Sequence, residues 1–173
     1  MGNFSMDDPV RARFGASEHV SFYKDAVEAS KRFREDYKSR LRVVKSKDMP
    51  YEMSPDGLIK HVMHENLNTA ECCVDAYMQF IEADKKSGKH RHLSEEICVV
   101  LEGRGSTEVG KEQFDWEEND IFVLPNFLWR RHRNTGSKEA VLYAVSDLPL
   151  LEKIGQYRAQ GRDTAGNLTN LVD

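Results

Sequence analysis

An all-β sandwich or barrel is the fold class this sequence predicts, on three observations. From about residue 40 to residue 146 the chain is a succession of short apolar or alternating runs, spaced roughly 8–12 residues apart and separated by turn residues. The clearest run, Cys72 to Glu82, alternates, with Val74, Ala76, Met78 and Phe80 on one face and Asp75, Tyr77, Gln79 and Ile81 on the other. No rhythm of strand, helix and strand marks a parallel sheet.

The elements follow in order. Residues 1–16 carry Gly2, Pro9 and Gly15 without periodicity and read as an arm. From Ser17, a candidate N-cap, Phe22, Ala26, Ala29, Phe33 and Tyr37 form one apolar stripe down a helix that ends near Arg40. Strands are expected at Leu41–Lys45, Leu58–His64, Cys72–Glu82, Glu95–Glu102, Ser106–Val109, Gln113–Trp116, Asp120–Leu124, Leu128–Asn134 and Glu139–Ser146. Asp56-Gly57, Ser87-Gly88, Gly103 to Gly105, Glu118-Asn119 and Pro125-Asn126 supply turns between them. Ile97 to Leu101 is apolar on both faces, which predicts a strand covered on both sides. A short helix is expected from Leu148 to about Tyr157, and Gly161 to Asp173 reads as a polar tail. The resulting division is an arm and helix at 1–40, a barrel at 41–147 and a C-terminal helix and tail at 148–173.

Composition narrows the function. The chain has 173 residues, with 31% charged and 39% apolar, which suits one globular domain with an appendage. No run of about 18 apolar residues marks a membrane span. The segment Met1–Val10 carries Asp7 and Asp8 and has no apolar core of a secretory signal, so a cytoplasmic protein is expected. Lysine plus arginine total 25 against 29 acids, a net charge of −4. That gives no overall basic footprint, so neither nucleic acid nor a membrane is expected as partner. Cys72, Cys73 and Cys98 lack zinc-site spacing and are expected as reduced, mostly buried side chains.

The stretch Gly88-Lys89-His90-Arg91-His92-Leu93-Ser94-Glu95-Glu96 carries chemistry. His90 and His92 are two apart, so on an extended strand they point to one side. Glu96 follows as the next apolar strand begins. Two imidazoles and a carboxylate with open positions suit non-haem Fe(II), and also Mn, Ni or Zn. Further on, Arg130, His132 and Asn134 share one strand face, while Arg131 and Arg133 face away as a solvated face or partners of Glu117 and Glu118. A guanidinium on an inner barrel face needs an anion, either Glu96 or a substrate carboxylate. His19, His61 and His64 read as structural or surface residues, and Trp116 and Trp129 as packing residues.

These residues resemble the cupin superfamily. Its first motif, G-x5-H-x-H-x3,4-E-x6-G, is met by His90, His92, Glu96 and Gly103, with Asp84 at the leading glycine position. Its second, G-x5-P-x-G-x2-H-x3-N, is met at Pro125 and Asn134. Asn119 and Phe127 replace its glycines, and Arg130 stands where a third histidine ligand is expected. Cupins similar to gentisate dioxygenases carry histidines at both the Arg130 and His132 positions. The resemblance implies a jelly-roll β-barrel and a homodimer. It implies a mononuclear metal enzyme, foremost an Fe(II) dioxygenase acting on a small anionic substrate, with an aromatic one as one option. His90, His92 and Glu96 would hold the metal, with His132 either a fourth ligand after a register shift or an acid–base group beside a three-ligand site. Arg130 would hold the substrate carboxylate, or else fill the site and neutralise Glu96 with no metal bound. Two other functions stay open: a non-catalytic cupin that binds or senses a small anion, and an O2-independent isomerase or decarboxylase.

Overall fold

The computed structural model describes residues 22–54, 56–69, 73–162 and 168–172, the last five by backbone alone. The expected arm at 1–16, Ser17, His19 and Cys72 lie outside the described residues. The chain divides into two units, one through Ser39 and one from Arg40 onward. In the first, helix α1 spans Phe22–Ser39, with Glu28–Lys31 and Glu35–Lys38 ion pairs along its side. No residue of α1 is buried. No helix among the described residues is long and apolar enough to cross a membrane.

The second unit consists of two six-stranded antiparallel sheets in a jelly-roll arrangement. One sheet holds β1 (Glu52–Ser54), β2 (Gly57–Met63), β3 (Asp75–Ile81), β10 (Ala140–Ser146), β5 (Glu96–Glu102) and β8 (Ile121–Leu124), in that spatial order. The other holds β12 (Leu168–Val172), β11 (Ala159–Arg162), β4 (Lys89–His92), β9 (Arg130–Asn134), β6 (Arg104–Val109) and β7 (Glu112–Glu117). Helix α2, Leu148–Lys153, precedes β11 and stops at Gly155, whose φ of +68° only glycine adopts freely. It is shorter than expected for that reason.

The core lies between the sheets. Cys98, Val100, Leu124, Leu142, Ala144 and Trp116 are buried there, with Phe114 and Phe122 packed against them. Trp116 is a large apolar payload with one polar atom, and its indole N–H donates to Thr107 Oγ1 at 2.9 Å. Gly105 is required beside it, because a Cβ there would lie 2.1 Å from the Arg133 carbonyl oxygen and 2.5 Å from the indole. The doubly apolar strand β5 is covered on one face. Cys98 and Val100 are buried, whereas Ile97 and Leu101 stay exposed beside Val123 and Ile121 of β8.

Three sequence departures sit on unusual backbone. Asp84, Asn119 and Phe127, at three of the four positions where the motifs call for glycine, have φ of 59°, 75° and 58°. The turns are therefore kept without the glycines. Asp and Asn tolerate this left-handed region, whereas for Phe127 it is strained. Phe127 is held by its N–H, which donates to the His92 carbonyl at 2.7 Å, and by its ring, stacked 4.3 Å from the Arg91 guanidinium.

Other expectations are corrected. Leu41–Lys45 is not a strand; the segment is irregular and tied by the Leu41 N–H to the Asn68 carbonyl. The tail contributes β11 and β12, where Gln160, Gly161 and Arg162 leave no apolar alternation to read. On β3 the inward face is that of Tyr77, Gln79 and Ile81. The apolar Phe80 instead packs on the outer side against Tyr51, above which Lys60 lies. Cys98 is buried as expected, but Cys73 is exposed.

Candidate metal centre

Strand β4 is short because its sequence is Lys-His-Arg-His, with no apolar residue to bury. Its pairing places it against β11 on one side and β9 on the other, with His90 opposite Arg130. The chain then turns through Ser94 into β5, which starts at Glu96. The strand alternation and this turn bring His90, His92 and Glu96 together, one ligand-capable atom from each lying within 4.8 Å of the others.

His90 is buried, and its Nδ1 lies 2.6 Å from Asp56 Oδ1 in the β1–β2 turn. Its Nε2 accepts from Arg130 Nε at 3.3 Å. An imidazole that accepts at Nε2 carries its proton at Nδ1, the ring atom that faces Asp56. The Asp56 carboxylate stays below its usual range: burial would raise it, and its close approach to the His90 ring outweighs that. His92 Nδ1 contacts Ser94 Oγ and lies 3.1 Å from the Ser94 carbonyl, and its Nε2 is 3.2 Å from Glu96 Oε2. Burial lowers the His92 pKa against the opposing pull of Glu96.

Glu96 is 2% exposed. Tyr77 donates to its Oε1 at 2.8 Å and Cys98 at 3.4 Å. Burial alone would raise the carboxyl, but the hydrogen bond from His92 and the charge of Arg130 hold it well below the usual carboxylate range. Burial next to that negative charge pushes the Tyr77 hydroxyl and the Cys98 thiol well up, so both remain protonated donors.

Arg130 is wholly buried. Its Nη2 donates to Glu96 Oε2 at 2.9 Å, lies 3.0 Å from His92 Nδ1 and contacts His92 Nε2 as well. Its Nη1 is buried without a hydrogen-bond partner among the described residues. Of the two anions that sequence reasoning offered this side chain, the structure supplies Glu96.

His132 is not in the converging set. Strand β9 runs opposite β6 from Arg130 to Asn134 without a register break, and His132 pairs with Thr107. Two residues along a strand is roughly 6.6 Å, and no bulge brings His132 back to the Arg130 position. Its Nδ1 lies 2.8 Å from Thr107 Oγ1, and burial pushes its pKa down to about 4, so the imidazole is neutral near pH 7. Arg131 pairs with Glu108, not with Glu117 or Glu118. The Arg91 and Arg162 guanidiniums lie 4.9 and 5.2 Å from the centre of the Trp129 ring. Asn134 braces the β9–β10 turn, donating to the Ile81 and Lys138 carbonyls.

Sequence reasoning missed Asp56, Tyr77, Ser94 and Thr107. Asp56 read as a turn former, and the outer apolar face of β3 drew attention from Tyr77. The donor set itself fits a divalent metal: two imidazoles, one with its Nε2 lone pair turned inward, and an ionised carboxylate. The His90 Nε2 lone pair and the Glu96 carboxylate are both engaged by the Arg130 guanidinium.

Residues 77–146 match the model of the Cupin domain family. The 5-aminosalicylate 1,2-dioxygenase of Comamonas sp is 32% identical over 88 residues, covering 51% of this chain and 23% of that protein. The gentisate 1,2-dioxygenase 1 of Aquipseudomonas alcaligenes is 25% identical over 149 residues, covering 85% of this chain and 42% of that protein. This chain thus spans less than half the length of these relatives. The fold is similar to that of the salicylate 1,2-dioxygenase of Pseudoaminobacter salicylatoxidans in its gentisate adduct. That likeness has a TM-score of 0.57 at 15% identity, over 83% of this chain and 36% of the other. The family match spans both motif segments, so residues 77–146 form a domain of the cupin superfamily.

Proposed function

We propose that this protein is a mononuclear non-haem Fe(II) dioxygenase acting on a small aromatic carboxylate, with Mn, Ni or Zn as other ions the donors accept. The observation that carries this reading is the convergence of His90, His92 and Glu96 from β4 and β5. The ring-cleaving activities named for its relatives support the reaction class. When bound, the metal would couple O2 to the substrate. The protein's own residues hold and orient. Asp56 fixes the His90 ring, Tyr77 and Cys98 hold the Glu96 carboxylate, and Thr107 fixes His132 as a neutral imidazole beside the site. Arg130 Nη1, a buried donor with no partner among the described residues, receives the substrate carboxylate. A cytoplasmic homodimer belongs with this reading, and the exposed row Ile97, Leu101, Ile121 and Val123 supports self-association. The test is oxygen uptake by protein reconstituted anaerobically with Fe(II), offered gentisate, salicylate and 5-aminosalicylate. Uptake matched to substrate loss supports the reading, and Fe-loaded protein that consumes no oxygen with any of them removes it.

A second reading is favoured by one observation. Arg130 engages all three candidate ligands, which suits a non-catalytic cupin that binds a small anion without a metal. Calorimetry with the same acids on metal-free protein separates the two, since only the second reading requires tight binding without the ion.

A further inference from the structure

The guanidinium of Arg130 stands among metal donors. It enters from β9 opposite His90, and the unbroken β6–β9 register fixes its position. Its Nη2 takes Glu96 Oε2 at 2.9 Å and contacts His92, and its Nε takes His90 Nε2 at 3.3 Å. Arginine stays protonated in proteins, so this is a fixed positive charge. One guanidinium against the one Glu96 carboxylate leaves the pair neutral.

A metal drawn to the same donors meets two obstacles. Each imidazole nitrogen has a single lone pair, and a lone pair that accepts an N–H cannot bind an ion at the same time. The ion would also bring its charge close to a buried cation, where repulsion is far stronger than in water. We infer that Arg130 is a built-in occupant of the metal position, so that guanidinium and divalent metal compete for His90, His92 and Glu96. The metal-free protein is then a folded, charge-balanced state that loads metal only at high supply. This rests on reading the three donors as a metal centre, and goes beyond it by making loading conditional on Arg130.

The experiment titrates the chelator-stripped 173-residue chain with Co(II), followed by visible absorption, and with Zn(II), followed by calorimetry. Wild type is compared with Arg130→Gln, Arg130→Lys and Arg130→His, each checked for a cooperative melt. Arg130→Gln removes the charge and adds no imidazole, so competition predicts metal binding at least about tenfold tighter than wild type, the scale on which residues around a metal set its affinity. Arg130→Lys, still cationic, stays near wild type, and Arg130→His binds tighter than Arg130→Gln. Saturating metal raises the melting temperature of Arg130→Gln more than that of wild type. If Arg130→Gln binds no tighter than wild type and only Arg130→His gains, the number of ligands governs affinity and competition is overturned. Arg130→Met takes the place of Arg130→Gln, with the same expected and overturning results, if the amide variant does not fold. Oxygen uptake by metal-loaded wild type is scored separately. Tighter binding in Arg130→Gln with no uptake in any sample supports competition and removes the dioxygenase reading. Uptake without tighter binding does the reverse.

Discussion

Replacing Glu96 by glutamine strips the negative charge from Arg130 while keeping nearly the same shape. In the wild type the two side chains, Arg130 and Glu96, are 0% and 2% exposed and meet at 2.9 Å, so water screens the pair little. Breaking a buried ion pair by removing one partner costs about 3–5 kcal/mol, because the surviving charge is left without a counter-ion. The amide oxygen of the introduced glutamine still accepts the Tyr77 proton, so that bond survives and the loss comes mainly from Arg130. For a chain of this size 1 kcal/mol shifts the melting temperature by about 2–4 °C, which gives a fall of about 6–20 °C. The assay is thermal and urea unfolding of chelator-treated protein. The double variant Glu96→Gln with Arg130→Met removes both charges and is expected to be more stable than Glu96→Gln alone. A loss under about 1 kcal/mol in the single variant, the range of exposed pairs, would refute the claim that the pair is buried and balanced.

Three further outcomes follow from the geometry. The His132 pKa of about 4 lies below its ordinary 6.5, so the unfolded chain takes up a proton that the folded chain refuses between those values. Metal-free protein should lose stability as pH falls from about 6.5 toward 4, and His132→Gln should flatten that slope in pH-dependent urea unfolding. Asp56→Asn removes the anion facing the His90 Nδ1 proton and is expected to weaken Zn(II) binding about 10–100-fold by calorimetry, while a wild-type affinity would show that Asp56 does not orient the ring. Asn119→Val places a β-branched residue at a φ of 75° and should cost about 1–2 kcal/mol in urea unfolding, whereas Asn119→Gly should be nearly neutral.

How much of this was legible in the sequence depends on which force set each feature. Strands that bury apolar residues, such as β5 and β10, follow the hydrophobic alternation and were readable. Strands β4 and β11 were not, because they carry histidines, glycine and polar residues without apolar alternation, and in β12 the order Leu-Thr-Asn-Leu-Val breaks the period of two. Helix α1 followed from periodicity, and helix α2 from proline near a helix start. Within the site, His90, His92 and Glu96 were legible because two-residue spacing fixes a common face. The partners Asp56, Tyr77 and Thr107 come from turns and strands far off in sequence, and no local spacing encodes their approach. Arg130 was legible as a departure, and only the register opposite His90 showed which anion it meets. The three positive-φ turns at Asp84, Asn119 and Phe127 show the reverse lesson: a motif residue was missing, yet the backbone it normally permits was kept.

The most direct test of the account is oxygen consumption by protein loaded with saturating Fe(II) under anaerobic conditions and then given gentisate or salicylate with a limited supply of O2. The account predicts one O2 consumed per substrate lost, abolished in His92→Ala and in Glu96→Gln. Protein that carries close to one iron per chain, retains its fold and consumes no oxygen with any of the aromatic carboxylates would contradict it.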